Sequence, residues 1–129
     1  MITLLYTLII GRWNGTTRAP DVLVVQVGLH TCVHSWFSST SQNKSMIHKH
    51  KDDLKLLMNA INIAIHRYPN PNKTMVIIQT AGRVGNKDPI QDQCTWEFNR
   101  VAAYEAHIHG FAVFDRGNMN KSILILSIY

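Results

Sequence analysis

The sequence predicts an α/β layer built on a parallel sheet, as one domain spanning the 129 residues. Three observations predict it. Strand-like segments alternate with segments of helical period, and the connections between them are short. The strand-like runs are also nearly unbroken in apolar residues, the pattern of strands covered on both faces in a parallel sheet.

The first segment, "MITLLYTLII", has the Ile, Thr, Leu and Tyr content of a buried strand. It carries no positive n-region, and "GRWNGTT" follows where a small-residue cleavage site would stand. A signal peptide needs both features, and a membrane helix needs about twice the length. An apolar strand so close to Met1 leads to the expectation that the domain is truncated. "RWNGTTRAPD" is turn chemistry, and "VLVVQV" (Val22 to Val27) is a buried strand. After the polar loop "SWFSSTSQNKS", Ile47, Leu54, Leu57, Met58, Ile61, Ile65 and Tyr68 recur mostly at threes and fours. That spacing predicts an amphipathic helix capped by Asn43 or Ser45 and ended by Pro69. "TMVIIQT" (Thr74 to Thr80) is a second buried strand. Ile90 to His109 is a second helix, with Asp88 as N-cap, Pro89 at its first position and Gly110 just past its end. "FAVFD" is a third strand, ending at Asp115.

Composition narrows the function classes. A hydrophobic share of 46% with 16% charged residues is that of a folded domain rather than a disordered chain. The net charge of +5 is spread along the sequence without a basic block or aromatic–basic interleaving. This balance argues against nucleic acid as partner and suits an anionic substrate or a glycan surface.

Four Asn-x-Ser/Thr sequons begin at Asn14, Asn43, Asn72 and Asn120. The chain's ten Asn and sixteen Ser/Thr predict roughly one by chance, and the excess points to the secretory pathway, Golgi lumen or extracellular space. Coincidence in a cytosolic chain is the rival reading. Cys32 and Cys94 are compatible with one disulfide in an oxidising compartment, or with two buried thiols.

In open parallel sheets ligands sit beyond the carboxyl ends of the strands. Here those ends are Gly28 to His34, Gln79 to Asn86, and Asp115–Arg116. Gly28 permits a tight turn or close approach to a ligand, and His30 offers an oxyanion donor or a base. A polar residue hydrogen-bonded at a strand end is the plainer alternative for His30. In "HTCVH", His30, Cys32 and His34 share one face if the strand continues, which would suit zinc. A fourth ligand is not near in sequence, and no metal or cofactor is expected. The pairs His48/His50 and His107/His109 fall on helices, where residues two apart diverge, and are expected to be solvated. "GRVGN" could form an anion-binding nest with Arg83 as counter-charge and Asn86 beside it, or a plain glycine turn. Asp115–Arg116 is either a functional pair or a strand-end salt bridge.

"PDVLVVQVGLHTC", "TMVIIQTAGRVGN" and "CTWEFNRVAAYEAHIHGFAVFDR", in this order and spacing, resemble the central part of SGNH/GDSL-type hydrolases. The animal PC-esterase-like branch, related to the plant glycan O-acetyltransferases, is the most similar. The resemblance covers about Pro20 to Arg116. It implies a three-layer α/β/α flavodoxin-like sandwich, here incomplete, that hydrolyses or transfers acyl esters, with an acyl ester or glycan as substrate. It also implies that Gly28 and His30 are oxyanion-hole residues, with His30 where the family has Asn. The family's Gly-Asp-Ser and Asp-x-x-His motifs are absent from the chain, and "GNMNKSILILSIY" does not resemble it. The expected function is therefore a fragment of an esterase domain, inactive alone. The alternative is a non-catalytic secreted glycan-binding or interaction module with the same fold.

Overall fold

A computed structural model describes residues 18–27, 32, 40–83 and 88–117. Along the chain run β1 (Val22–Gln26), α1 (Thr40–Ile65), a 3-10 turn (Pro71–Lys73), β2 (Met75–Gln79), α2 (Pro89–Ile108) and β3 (Ala112–Phe114). The strands form one sheet in the order β1-β2-β3. Both pairs are parallel, with Val22 opposite Met75, Ile77 opposite Ala112 and Gln79 opposite Phe114. The parallel α/β layer expected from the alternation of periods is the observed fold.

Each helix forms for reasons visible in its own residues. On α1, Leu54, Leu57, Met58, Ile61, Ala64 and Ile65 repeat at helical spacing. They pack with Val25, Val27, Val76 and Ile78 of the sheet and with Ala102 and Ala106 of α2. The helix ends as expected: Arg67 and Tyr68 tighten into bonds to Ala64 and Ile65, just before Pro69. Its start differs from expectation. Asn43 and Ser45 lie inside the helix rather than at its cap. Met46 and Ile47, which the predicted helix already includes, pack against a second apolar cluster of Cys32, Cys94 and Phe98.

On α2 the caps fall where the sequence puts them. The Asp88 carboxylate accepts from the Gln91 N–H, and Pro89 occupies the first turn. At the other end, Phe111 N–H donates to the Ala106 carbonyl and Gly110 N–H to that of His107. This is a Schellman motif, and it requires the φ of +75° that Gly110 adopts.

Leu23, Val25, Val27, Val76 and Ile78 turn toward the helices. The opposite face carries Val22, Val24 and Met75, exposed at 52%, 52% and 55%. Among the described residues the sheet is thus covered on one face, not on both as the unbroken apolar runs suggested. The sheet and one helical layer of the expected sandwich are present. No helix among the described residues is long and apolar enough to cross a membrane.

Candidate functional site at the carboxyl edge of the sheet

Parallel pairing brings the ends of β2 and β3 together, and a set of buried polar groups braces them. Thr80 donates its N–H to the Phe114 carbonyl, one step beyond the last strand residue. Its side chain is fully buried. The Thr80 hydroxyl donates to Asp115 Oδ1 (3.1 Å) and accepts the Gly117 N–H (3.2 Å), using both its donor and its acceptor capacity. Thr80 is therefore occupied as a brace and is not held as a nucleophile.

Asn99, on the buried face of α2, completes this arrangement. Its Oδ1 accepts the Ala81 N–H (2.9 Å) and its Nδ2 donates to the Ala81 carbonyl (2.8 Å). One side chain so satisfies both backbone groups of the residue that leaves the sheet, where a neighbouring strand would otherwise serve. A Cβ on Gly117 would overlap the Asn99 carboxamide nitrogen, so close approach requires glycine at that position. Asn99, Thr80 and Gly117 did not stand out as a connected set in the sequence, because they lie 18 and 37 residues apart along the chain.

The expected site residues divide into three groups. Asp115 and Arg116 stand at the edge: the Asp115 carboxylate receives Thr80, and Arg116 is exposed beside Gly82. Arg83 has a different role from the counter-charge expected of it. Its Nε donates to Asp92 Oδ1 (3.0 Å) and its Nη2 to Oδ2 (2.5 Å), so its guanidinium fork is committed to the first turn of α2. The pull is mutual, since an acidic side chain is favoured at a helix N-terminus. Gly28, His30 and Asn86 lie outside the described residues, as do Asn14 and Asn120. Of the other sequons, Asn72 is exposed in the 3-10 turn, whereas Asn43 sits on α1 rather than in a loop.

Cys32 and Cys94 are joined in a disulfide across 62 residues, which ties the chain after β1 to α2. The Cys32 sulfur is thereby taken out of the zinc set considered for "HTCVH". No group of three or more His, Cys, Asp or Glu among the described residues is placed to hold a metal ion.

Two histidines expected to be solvated are not. His50 is only 7% exposed and stacks on Phe98, with ring centroids 4.3 Å apart. Its position is legible in hindsight, four residues before Leu54 and on the same helical stripe. Burial pushes its imidazole down from 6.5 to about 4, against the opposing pull of Asp53. No hydrogen-bond partner reaches its Nε2 among the described residues. His109 is mostly buried at the end of α2, with Nδ1 2.7 Å from the Glu105 carbonyl and Nε2 3.1 Å from Asn59 Oδ1. His48 is exposed, as expected, and so is His107.

The geometry defines a parallel α/β sheet with a braced carboxyl edge. No family model, no curated protein and no solved structure matches the chain.

Proposed function

We propose that the chain is the central part of an SGNH-type acyl-ester hydrolase or acyltransferase domain of the secretory pathway. Its carboxyl edge is the substrate-facing side, and Gly28 and His30 serve as oxyanion donors. The observation that carries the reading is the edge itself. Three adjacent parallel strands end together, and the side chains of Thr80, Asn99 and Asp115 brace the backbone that leaves β2 and β3. Preorganised backbone at the carboxyl end of such a sheet is what stabilisation of a developing oxyanion requires. The Cys32–Cys94 disulfide and the exposed Asn72 sequon support the secretory assignment.

One observation favours the rival, a glycan-binding or interaction module. The polar groups described at the edge satisfy one another, and Thr80, the hydroxyl at its centre, is already engaged. The coding sequence on either side of this chain separates the two. Gly-Asp-Ser upstream and Asp-x-x-His downstream support the esterase. Flanks that continue the domain without them support the module. The chain alone should turn over p-nitrophenyl acetate no faster than a histidine background, since acyl transfer needs a positioned nucleophile and its base. Turnover blocked by a fluorophosphonate in this chain alone would show a nucleophile that the reading lacks.

A further inference from the structure

We propose that Asn72 is the acceptor of an N-linked glycan added before β1 and β2 pair, because the finished fold encloses the other end of its sequon. The proposal rests on the secretory assignment above and extends it to a modification site and the order in which that site is filled.

Asn72, Lys73 and Thr74 form an Asn-x-Thr sequon where the 3-10 turn leads into β2. Its two ends meet opposite fates. Asn72 is exposed, as are Asn70 and Lys73 beside it, so a bulky polar group attached there stands in solvent. Asn43, the other described sequon asparagine, is half-buried on α1 and lacks that exit. Thr74 is only 9% exposed, and its hydroxyl donates to the Pro20 carbonyl at 2.7 Å. The backbone around it is committed too. Lys73 N–H donates to the Asn70 carbonyl, Thr74 N–H to that of Pro71, and Met75 N–H to that of Asp21.

A sequon is defined by the hydroxyl two residues past its asparagine, so the transferase must read that hydroxyl. In the fold the hydroxyl is turned inward and its proton is given to a carbonyl 54 residues earlier in the chain. Recognition therefore belongs to the chain before Pro20 and Thr74 meet, which is before Val22 comes into register with Met75. The donor is a lipid-diphosphate-linked oligosaccharide. The Asn72 carboxamide nitrogen bonds to its anomeric carbon and loses one proton to solvent. The bond from that carbon to the phosphate oxygen breaks, and the lipid diphosphate leaves with the electron pair.

The glycan does not compete with the candidate site. It leaves from the amino edge of the sheet, and the five residues of β2, roughly 17 Å of strand, separate it from the braced carboxyl edge.

Two measurements test the proposal. In the first, a cleavable signal peptide leads the full chain into microsomes during translation. Occupancy of Asn72 is then read by mass spectrometry, as the aspartate that peptide N-glycosidase leaves in heavy-oxygen water. Asn72 should be filled in the wild type and in Thr74→Ser, and bare in Thr74→Val. In the second, unmodified folded chain and a peptide of residues 66–80 are offered to a single-subunit oligosaccharyltransferase with its lipid-linked donor. The folded chain should react at Asn72 more slowly than the peptide by roughly tenfold or more, since only its locally opened fraction presents Thr74. A bare Asn72 in wild-type chain from microsomes, filling that survives Thr74→Val, or equal rates for folded chain and peptide would overturn the proposal.

The secretory assignment is decided separately, in protein isolated from its own cells. Asn72 bare there but filled in microsomes would remove that assignment and leave Asn72 standing as an acceptor enclosed by folding. Asn72 bare in microsomes would remove the acceptor and leave the assignment to the Cys32–Cys94 disulfide.

Discussion

His50 concentrates the chemistry of single residues in this chain. An imidazole whose pKa is lower in the folded protein than in the unfolded one binds its proton more tightly when unfolded. With 6.5 for the free group and about 4 in the fold, stability is full above about pH 6.5 and falls as the pH drops toward 4. The loss amounts to about 3 kcal/mol across that window. Urea unfolding at pH 7 and pH 4.5 should show this difference, and His50→Phe should flatten the part due to the imidazole. An unchanged pH slope in that variant would mean that His50 is not the group responsible. Asn99 makes a second residue-scale case. Asn99→Ala leaves both Ala81 backbone groups unpaired in a buried setting and should cost about 2–4 kcal/mol, read as a lower denaturant midpoint. Neither role could be assigned from local sequence alone. The stripe that buries His50 was visible, but its Phe98 partner was not, and Asn99 meets Ala81 only after β2 and α2 pack.

At the scale of elements, the interface between α1 and α2 holds a poorly compensated buried carboxylate. Glu105 is fully buried, and neither carboxylate oxygen has a hydrogen-bond partner among the described residues. Lys51 Nζ stands 3.9 Å away and His109 Nδ1 4.0 Å away. Charges at that separation recover only part of the desolvation cost of a buried ion. Glu105→Met, similar in length and apolar, should be neutral or stabilising by about 1–2 kcal/mol in thermal or urea unfolding. A loss above roughly 2 kcal/mol would show that the ion pair supports the interface.

Legibility at this scale followed the range of each signal. Both ends of α2 were readable because Asp88, Pro89 and Gly110 act on their own helix. The start of α1 was not, because Asn43 and Ser45, residues that favour a cap, lie inside a helix that begins at Thr40. The faces of the strands were half readable. The alternating burial of β1 and β2 is masked by apolar residues at every position from Val22 to Val25 and from Met75 to Ile78.

For the whole molecule, the disulfide is the largest single constraint. It closes a loop of 62 residues and joins the two ends of the second apolar cluster. Restriction of the unfolded chain by a loop of that size stabilises by about 4 kcal/mol. Cys94→Ser should therefore lower Tm by more than ten degrees, an order-of-magnitude figure for a domain of this size at roughly 4 kcal/mol. Preserved Tm under reducing conditions would argue against an oxidised native state and weaken the secretory assignment.

The parallel sheet was legible because strand-helix alternation constrains topology strongly, whereas the chemistry of its edge was legible only in outline. Asp115 and Arg116 were placed there by position. The commitment of Arg83 to Asp92 was hidden, although only nine residues separate them, because it depends on how the chain turns between β2 and α2.

The central claim, that this edge belongs to an acyl-ester site, is tested most directly by His30. In protein that includes the flanking segments, His30→Ala should lower kcat for acetyl-ester hydrolysis by about 10²-fold, the scale of one oxyanion donor, with fluorophosphonate labelling retained. Unchanged kcat in His30→Ala, or no labelling and no turnover in the wild-type protein, would contradict it.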